Sequence, residues 1–423
     1  MRRSQIKFGG IVLWGMLFLA ADFATAQVIW DRSEIDRIRA EKPDADSPQG
    51  QAIARLKEMA DFELTRPAQT VTDKKIVPPS GDVHDYLSFS RYWWPDPDKP
   101  DGLPYIRKDG VVNRKLIANG DRVRLGDFCN AVQTLALTGY LIDDARYSQQ
   151  AAKLVRTWFL DPETRMNPNL NFGQGVPGRA TGRGPGIIDT RGFMLVLDAV
   201  ELFDEATWSA ENQTALQKWF DEYQNWLKES PLGQHEERAE NNHGAWYAAQ
   251  RARYAVFAGK EDIARELIAA ARTRIGEQFD ADGNQAAELK RTLSLHYCLF
   301  NITALTRLAR VGDKIGDDLW GHTPDHGCGL QKGLDVLMPY LKSGGEAEWP
   351  HEQIGPVSIS PSSHLTLRMF SQRFDDPVYA AAVAKNKFRH PERDFAVLLS
   401  GGAAGPGSNS TEADQEAQVP VAN

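Results

Sequence analysis

The chain has 423 residues, of which 42% are hydrophobic and 25% are charged, and this composition is typical of a globular protein rather than a disordered one. Its formal net charge of −8 does not favour nucleic-acid binding, so a polyanionic ligand would have to be attracted by a local basic groove. The three cysteines, Cys129, Cys298 and Cys328, form no CxxC pair, and neither a disulfide framework nor a metal cluster is expected.

The N-terminus predicts a secretory signal peptide over residues 1–26. Basic residues precede an apolar run, and Ala24-Thr25-Ala26 then supplies a small-residue cleavage site. No later stretch approaches the ~20 consecutive apolar residues of a membrane-spanning helix. We therefore expect an exported protein, periplasmic or secreted, that has no membrane span.

Helical periodicity dominates the rest of the chain, which we expect to form one domain over residues 27–400. The segments with apolar residues at helical spacing are 51–64, 127–142, 148–160, 191–204, 211–230, 244–259, 261–279, 294–312, 331–344, 361–374 and 377–388. Several of them form pairs joined by short turns, as in helical hairpins that stack into solenoids or close into toroids. Because the chain has no repeat of fixed period, the pattern predicts an all-α fold of the (α/α) toroid kind.

Two long stretches interrupt the helices, at residues 78–120 and 161–190. Loops of this length inside a compact domain usually carry function, so both are candidates for substrate binding. The final segment, residues 401–423, has almost no large apolar residues and is predicted to be disordered.

Aromatic and basic side chains are concentrated in the first loop. We expect Tyr92, Trp93 and Trp94 to stack on sugar rings and Arg107 to bind a carboxylate. The alternative is that the aromatic side chains form a buried plug that holds the loop in place.

The second loop is rich in amides, arginines and glycines. Gln174 and Arg183 are its candidate ligand-binding residues, and the glycines would let the backbone approach a ligand closely. The alternative is a flexible surface loop in which Asp189 is only the N-cap of the next helix.

The stretch "AENNHGAWYAAQ" combines amides, an imidazole and aromatic rings at the start of a helix. Asn242 and His243 are candidate catalytic residues, whereas we expect Trp246 and Tyr247 to pack the helix behind them. The alternative is that Asn242 only caps the helix and that His243 is structural.

The stretch "ELKRTLSLHYCLFN" places Arg291, His296 and Tyr297 at the start of an apolar helix. Residues six apart do not share a helical face, so we expect Arg291 to precede the helix or to bend towards Tyr297. A further patch, "EWPHEQIG", adds His351 and Glu352 in a predicted loop.

Asparagine, histidine, tyrosine and arginine without a metal motif fit β-elimination on a uronic-acid polysaccharide, a reaction for which we expect no metal and no cofactor. The C5 proton of a uronate is weakly acidic until the adjacent carboxylate is neutralised, and Asn and Arg donors can do this. In mannuronate and glucuronate this proton and O4 lie on one side, so Tyr297 could be base and then acid if a nearby cation lowers its pKa. In guluronate they lie on opposite sides, and His243 would be the better base.

Two other functions are compatible with these residues. A glycoside hydrolase on a similar toroid would need two carboxylates across the scissile bond, for which Asp189, Glu288 and Glu352 are the candidates. A non-catalytic exported sugar-binding protein would keep the aromatic and arginine loops but would have no need of Tyr297.

Four stretches taken together resemble a known family. They are "DYLSFSRYWWPDP…PYIRKDG" (85–110), "NNHGAWY" (241–247), "ELKRTLSLHY" (288–297) and "WPHEQI" (349–354). Their combination is similar to the alginate lyase domain family of polysaccharide lyases, and with the intervening segments it covers most of the mature chain.

The resemblance implies an incomplete (α/α) toroid with the substrate in a cleft across it. By position, it implies that Asn242 neutralises the substrate carboxylate, that His243 is the active-site histidine, and that Tyr297 is the acid/base tyrosine with Arg291 nearby. Because the family also includes glucuronan lyases, the implied partner is an anionic polyuronate: alginate, with polymannuronate favoured, or alternatively glucuronan.

Overall fold

The computed structural model describes residues 28–344 and 346–400. The predicted signal peptide and the predicted disordered tail lie outside these residues. The α-helices are α1 (Arg32–Glu41), α2 (Pro48–Thr65), α3 (Arg114–Ile117), α4 (Arg122–Ile142), α5 (Ala145–Phe159), α6 (Phe193–Val200), α7 (Ala210–Glu229), α8 (Pro231–Glu237), α9 (Asn242–Phe257), α10 (Glu261–Gln278), α11 (Ala286–Leu289), α12 (Ser294–Ile315), α13 (Leu330–Asp335), α14 (Met338–Lys342), α15 (Pro361–Arg373), α16 (Val378–Ala381) and α17 (Ala396–Leu399).

The strands are short and occur in pairs. They are β1 (Leu87–Phe89), β2 (Trp93–Trp94), β3 (Ile106–Arg107), β4 (Phe172–Gly175), β5 (Ser358–Ile359) and β6 (Lys387–Phe388). Strands β1 and β4 pair in parallel, β2 and β3 pair antiparallel, and β5 and β6 pair in parallel. The first pair joins the two long loops, so these loops are packed against each other rather than free at the surface.

Helical hairpins form the body of the fold, which is the all-α, (α/α) toroid expected. In the hairpins α4/α5, α6/α7 and α9/α10, the first helix is mostly buried and the second exposes a polar face. The buried helices pack in sequence, α4 on α6, α6 on α9, α9 on α12, and α12 on α15. The first and last of the described segments meet, since the backbone N–H of Asp31 donates to the carbonyl of Leu399.

Helix α9 shows why periodicity is weak in the innermost helices. It contacts α7, α8, α10 and α12, so almost every face of it is covered. Trp246 and Tyr247 are buried in this packing, as expected. The three cysteines are also buried and free, and none of the described helices is long and apolar enough to span a membrane.

Three helix predictions were wrong in extent. The segment 331–344 divides into α13 and α14, because Pro339 lacks an N–H group and fits only the first turn of a new helix. The segment 377–388 forms α16, a 3-10 turn and β6 instead of one helix. The helix predicted over 191–204 is α6, which follows a 3-10 segment at Gly184–Gly192 and ends at Val200.

Candidate active site

Tyr297 lies in the first turns of α12, where its side chain is buried to 8% exposure. The loop at 349–354 anchors this end of the helix, because the carbonyl of Glu352 accepts hydrogen bonds from both the N–H and the hydroxyl of Ser294. The Tyr297 hydroxyl lies 2.8 Å from the hydroxyl of Tyr92, which comes from the first long loop. Residues from two distant parts of the chain therefore meet at this phenol.

Arg291 precedes α12, as expected, and its guanidinium carbon lies 3.6 Å from the centre of the Tyr297 ring. Asp109 fixes this position through two hydrogen bonds, from Nε of Arg291 at 3.0 Å and from Nη2 at 2.8 Å. Burial would raise the pKa of Asp109, but the hydrogen bonds from Arg291 and Arg107 hold that pKa well below its usual value. The carboxylate is therefore charged throughout the physiological range and keeps the arginine on the tyrosine ring.

Asn242 is the first residue of α9, and its side chain is fully buried against Glu288. Both carboxylate oxygens lie 2.9 Å from Nδ2, and Oε1 also accepts from the backbone N–H at 2.6 Å. Seen from Nδ2 at that distance, the two carboxylate oxygens are only about 45° apart, whereas the two N–H bonds of an amide diverge by about 120°. A single side-chain N–H of Asn242 therefore serves both oxygens. The second N–H stays available, and Oδ1 is buried with no hydrogen-bond partner among the described residues.

The helix cap itself is Asn241, whose side chain accepts from the backbone N–H of His243. The alternative that Asn242 serves only as the cap is therefore wrong. Gln278 of α10 donates to the carbonyls of Glu240 and Asn241, so the turn that leads into α9 is held from behind.

His243 follows at the second position of α9, with 21% of its side chain exposed. Its Nδ1 lies 2.5 Å from Oε1 of Glu236, a buried residue in the last turn of α8. Because Nδ1 is engaged, Nε2 is the ring nitrogen that can exchange a proton with a ligand.

A continuous chain of contacts joins the two halves of the site. Asn242 binds Glu288, and the backbone carbonyl of Glu288 accepts from the N–H of Arg291, which stacks on Tyr297. A second connection runs through the packed helices, since the Trp246 ring of α9 lies 5.0 Å from the Phe300 ring of α12. The four predicted catalytic residues are thus brought together.

Arginines are numerous around Tyr297, and only some of them form ion pairs within the described residues. Arg122 pairs with the buried Asp189 at 2.7 Å, and Arg291 pairs with Asp109. Arg91 and Arg191 form no ion pair within the described residues.

Both unpaired arginines lie against the aromatic residues of the site. The guanidinium of Arg91 is 5.3 Å from the Tyr92 ring, and that of Arg191 is 5.7 Å from the Phe300 ring. Burial lowers the pKa of both groups, that of Arg191 to about 10, so each remains charged at neutral pH. Half-buried cations that form no ion pair favour an anionic ligand.

Titration of two side chains reflects this environment. Burial raises the pKa of Tyr297, the Tyr92 phenol adds to the rise, and Arg291 and Arg91 oppose it. The resting side chain is therefore a neutral phenol. Burial also lowers the pKa of His296 to about 4, with Arg389 and the other arginines contributing, so this histidine is neutral at pH 7.

The first loop presents aromatic rings with cations over them. Trp93 lies under the guanidinium groups of Arg179 and Arg183, at 5.2 and 5.7 Å from the ring centre. Lys108 lies 5.6 Å from the Trp94 ring, whose indole N–H donates to the carbonyl of Val111. These rings are partly exposed, so the buried-plug alternative does not describe them.

Gln174 and Asp189 contact each other through their side chains. Gln174 adopts a left-handed conformation (φ 49°), and its side-chain N–H donates to Asp189, while its role in substrate binding stays a prediction. Asp189 also accepts hydrogen bonds from the hydroxyl groups of Tyr86 and Ser88. It is therefore a buried carboxylate that joins the two loops and not an N-cap. Arg183 donates to the carbonyl of Gln174, which shows that this loop is ordered by its own polar contacts.

The patch around 349–354 borders the site through its backbone. Glu352 binds Ser294 through its carbonyl, and its side chain is exposed. The His351 ring is also exposed and lies 5.2 Å from the Trp349 ring. His296 stacks on Phe300 at 5.9 Å, inside the site rather than at its surface.

A family model described as alginate lyase matches residues 70–349, two thirds of the chain. The chain belongs to the alginate lyase family. It is accordingly a polysaccharide lyase.

Solved structures of alginate lyases share the fold. An alginate lyase from Bacteroides ovatus is 34% identical, with a TM-score of 0.80, and the match covers 88% of this chain and 98% of that one. Alginate lyase A1-III from Sphingomonas species A1 is 15% identical with a TM-score of 0.56, and a variant of A1-III complexed with a tetrasaccharide is 15% identical with a TM-score of 0.60. Both matches cover 90% of this chain and 97% of the other. We found no match among curated protein sequences.

Three carboxylates of this alginate lyase family member hold site residues in place, and the sequence did not predict these roles. Asp109 holds Arg291, Glu236 holds His243, and Glu288, considered only as a hydrolase acid, holds Asn242. Each partner is distant in sequence or lies on another helix, so no spacing rule could reveal the pairs. Within residues 28–344 and 346–400, no group of three or more His, Cys, Asp or Glu side chains is arranged to hold a metal ion.

Proposed function

We propose that this lyase cleaves a 1,4-linked uronic-acid polysaccharide by β-elimination, with alginate as the substrate and polymannuronate as the favoured form. The observation that carries the proposal is the phenol of Tyr297 held against the Arg291 guanidinium, with Arg91 and Arg191 half-buried against the neighbouring aromatic rings. An acid in a positively charged pocket is what elimination from an anionic sugar requires. The alginate lyases of similar fold, one complexed with a tetrasaccharide, support this substrate class.

The first requirement of the reaction is a more acidic C5 proton. When this proton leaves, negative charge spreads onto the uronate carboxylate, so donors and cations near that group stabilise the transition state. Arg91 and Arg191 supply positive charge, and neither forms an ion pair within the described residues. Asn242 supplies an oriented N–H, because Glu288 occupies only one of its two amide hydrogens.

The second requirement is an acid for the departing O4. A phenol whose pKa is raised keeps its proton until the leaving oxygen develops charge, so Tyr297 is suited to this step. Arg291 and Arg91 oppose the rise in the Tyr297 pKa, so these two cations stabilise the phenolate that remains.

The third requirement is a base, and its identity depends on the sugar. In mannuronate, Tyr297 takes the C5 proton and then gives a proton to O4, since both lie on one side. The phenol must first lose its own proton to solvent, and Arg291 and Arg91 favour that loss because both oppose the rise in the Tyr297 pKa that burial causes. In guluronate the C5 proton lies on the opposite side, and Nε2 of His243 is the base.

Product analysis in water labelled with oxygen-18 tests the proposed reaction. Elimination breaks the O4 bond without adding water, so the alginate oligosaccharides should carry an unsaturated terminal sugar and no label at the cleaved bond. Labelled, saturated products would show hydrolysis and would overturn the proposal. A tetrasaccharide that binds without being cleaved would likewise contradict it.

A further inference from the structure

Glu236 is a buried carboxylate whose placement is not explained by stability. Its side chain is 1% exposed, and its only side-chain hydrogen bond within the described residues is the one to Nδ1 of His243. The second oxygen, Oε2, is buried without a hydrogen-bond partner there. A buried charge with one partner is costly, and a negative charge in the last turn of a helix is also disfavoured by the helix dipole.

The helix that carries Glu236 is nevertheless held rigidly. Ser230 caps α8 by accepting from the N–H of Gly233, and Pro231 occupies the first turn. A Cβ at Gly233 would lie 1.8 Å from the carbonyl oxygen of Leu227, so α8 is packed tightly on the end of α7. The carboxylate is therefore presented to His243 from a fixed support.

A carboxylate on one ring nitrogen of a histidine determines the state of the other. Glu236 accepts a hydrogen bond at Nδ1, which places the proton of the neutral imidazole there and leaves a lone pair on Nε2. It also stabilises the imidazolium that forms when Nε2 takes a proton. Nε2 of His243 has no hydrogen-bond partner among the described residues, so this lone pair is free for substrate.

We infer that Glu236 is a positioning residue that makes His243 a base, and that it acts mainly on cleavage at guluronate. This inference rests on the proposed function, in which guluronate needs a base opposite Tyr297 and mannuronate does not. Loss of Glu236 should therefore change the ratio of the two activities and not merely lower both.

The kinetic test compares Glu236→Gln with wild type on polyguluronate and polymannuronate. We expect kcat/KM to fall about 100-fold on polyguluronate and less than about 10-fold on polymannuronate. The acidic limb of the polyguluronate pH profile should move to lower pH, because the protonated imidazole loses its counter-ion. Glu236→Asp, which keeps the charge, should recover part of the rate.

Glu237→Gln is the matched control. Glu237 is the next residue of α8, but its side chain is 45% exposed and pairs with Arg251. This variant should keep both activities and both pH profiles. Equal losses on the two polymers in Glu236→Gln, with an unchanged pH profile, would overturn the inference and indicate a structural ion pair.

A second measurement does not depend on activity. Nitrogen-15 NMR of histidine-labelled wild-type protein distinguishes the two neutral tautomers and the imidazolium, with the His243 signals assigned from their loss in His243→Asn. We expect the neutral form of His243 to be the Nδ1–H tautomer. The Nε2–H tautomer would overturn the inference even if the enzyme is an active lyase, whereas a wild-type protein with the Nδ1–H tautomer that cleaves no polyuronate would defeat the proposed function and leave the pairing of Glu236 with His243 standing.

Discussion

The hydroxyl groups of Tyr92 and Tyr297 lie 2.8 Å apart, although the two residues are 205 positions apart in the chain. One comes from the first long loop and the other from the first turns of α12. Their contact, with Arg291 on the ring of Tyr297, makes the phenol both the best-held and the most chemically perturbed group of the site.

Tyr297→Phe should abolish turnover on every polyuronate and leave substrate binding nearly intact. The substitution removes only the oxygen that transfers the proton, and the ring keeps its contact with Arg291. The measurement is the initial rate together with the dissociation constant of an alginate oligosaccharide. Tyr92→Phe is the comparison and should retain more activity, because it removes a hydrogen-bond partner of the Tyr297 phenol and not the phenol itself. Substantial activity in Tyr297→Phe would refute the tyrosine mechanism.

Asn242→Ala and Asn241→Ala separate the catalytic amide from the helix cap. Asn242→Ala removes a donor aimed at developing charge, so we expect kcat to fall about 100-fold or more. Asn241→Ala should cost about 1 kcal/mol of stability through the lost cap and leave the rate close to normal. Rates and denaturation midpoints of both variants check this, and a near-normal rate for Asn242→Ala would contradict it.

Asp109→Asn should loosen Arg291 from the tyrosine ring. The Asp109 carboxylate makes charge-assisted hydrogen bonds worth about 1.5–3 kcal/mol. If this energy is lost from the transition state, kcat should fall about 10- to 100-fold. Arg107→Gln is the comparison, because Arg107 binds the same carboxylate but is 54% exposed: its loss should leave kcat close to normal and, since Arg107 is predicted to bind the substrate carboxylate, raise KM. Similar kcat values for Asp109→Asn and wild type would show that the position of Arg291 does not matter.

Acid should destabilise the protein partly through His296. The unfolded side chain takes a proton near pH 6.5, but the folded one does so only near pH 4, so the unfolded state binds more protons between these values. The contribution of His296 to the free energy of unfolding is therefore complete above pH 6.5. It falls by up to about 3 kcal/mol as the pH drops to 4. Chemical denaturation at several pH values should show that His296→Phe loses less free energy of unfolding than wild type between pH 6.5 and 4. The same pH dependence of this free energy in the two proteins would rule out the effect.

The sequence predicted the helical hairpins well, because the second helix of each pair exposes a polar face and its periodicity is therefore clear. The hairpins α4/α5 and α9/α10 were located within a few residues, and Trp246 and Tyr247 were correctly placed in the core. The C-terminal region was predicted poorly, since Pro339 and the β5–β6 pairing override helical periodicity there.

The site was predicted only in part, for a physical reason. Motif residues such as Asn242 and Tyr297 carry their chemistry in their own side chains, and sequence reasoning found them. Asp109, Glu236 and Glu288 matter only through the partner that the fold brings to them. Carboxylates on helix ends and in loops look like ordinary surface residues until the tertiary structure shows them buried.

The most direct test is the ultraviolet absorbance of purified protein on polymannuronate, polyguluronate and glucuronan in parallel. A double bond conjugated to the uronate carboxylate absorbs ultraviolet light. Elimination forms this double bond, whereas hydrolysis does not. We expect the absorbance to rise fastest on polymannuronate and not at all with Tyr297→Phe. No rise on any of the three polymers, with or without new reducing ends, would contradict the assignment of Tyr297 as the proton-transfer group of a polyuronate lyase.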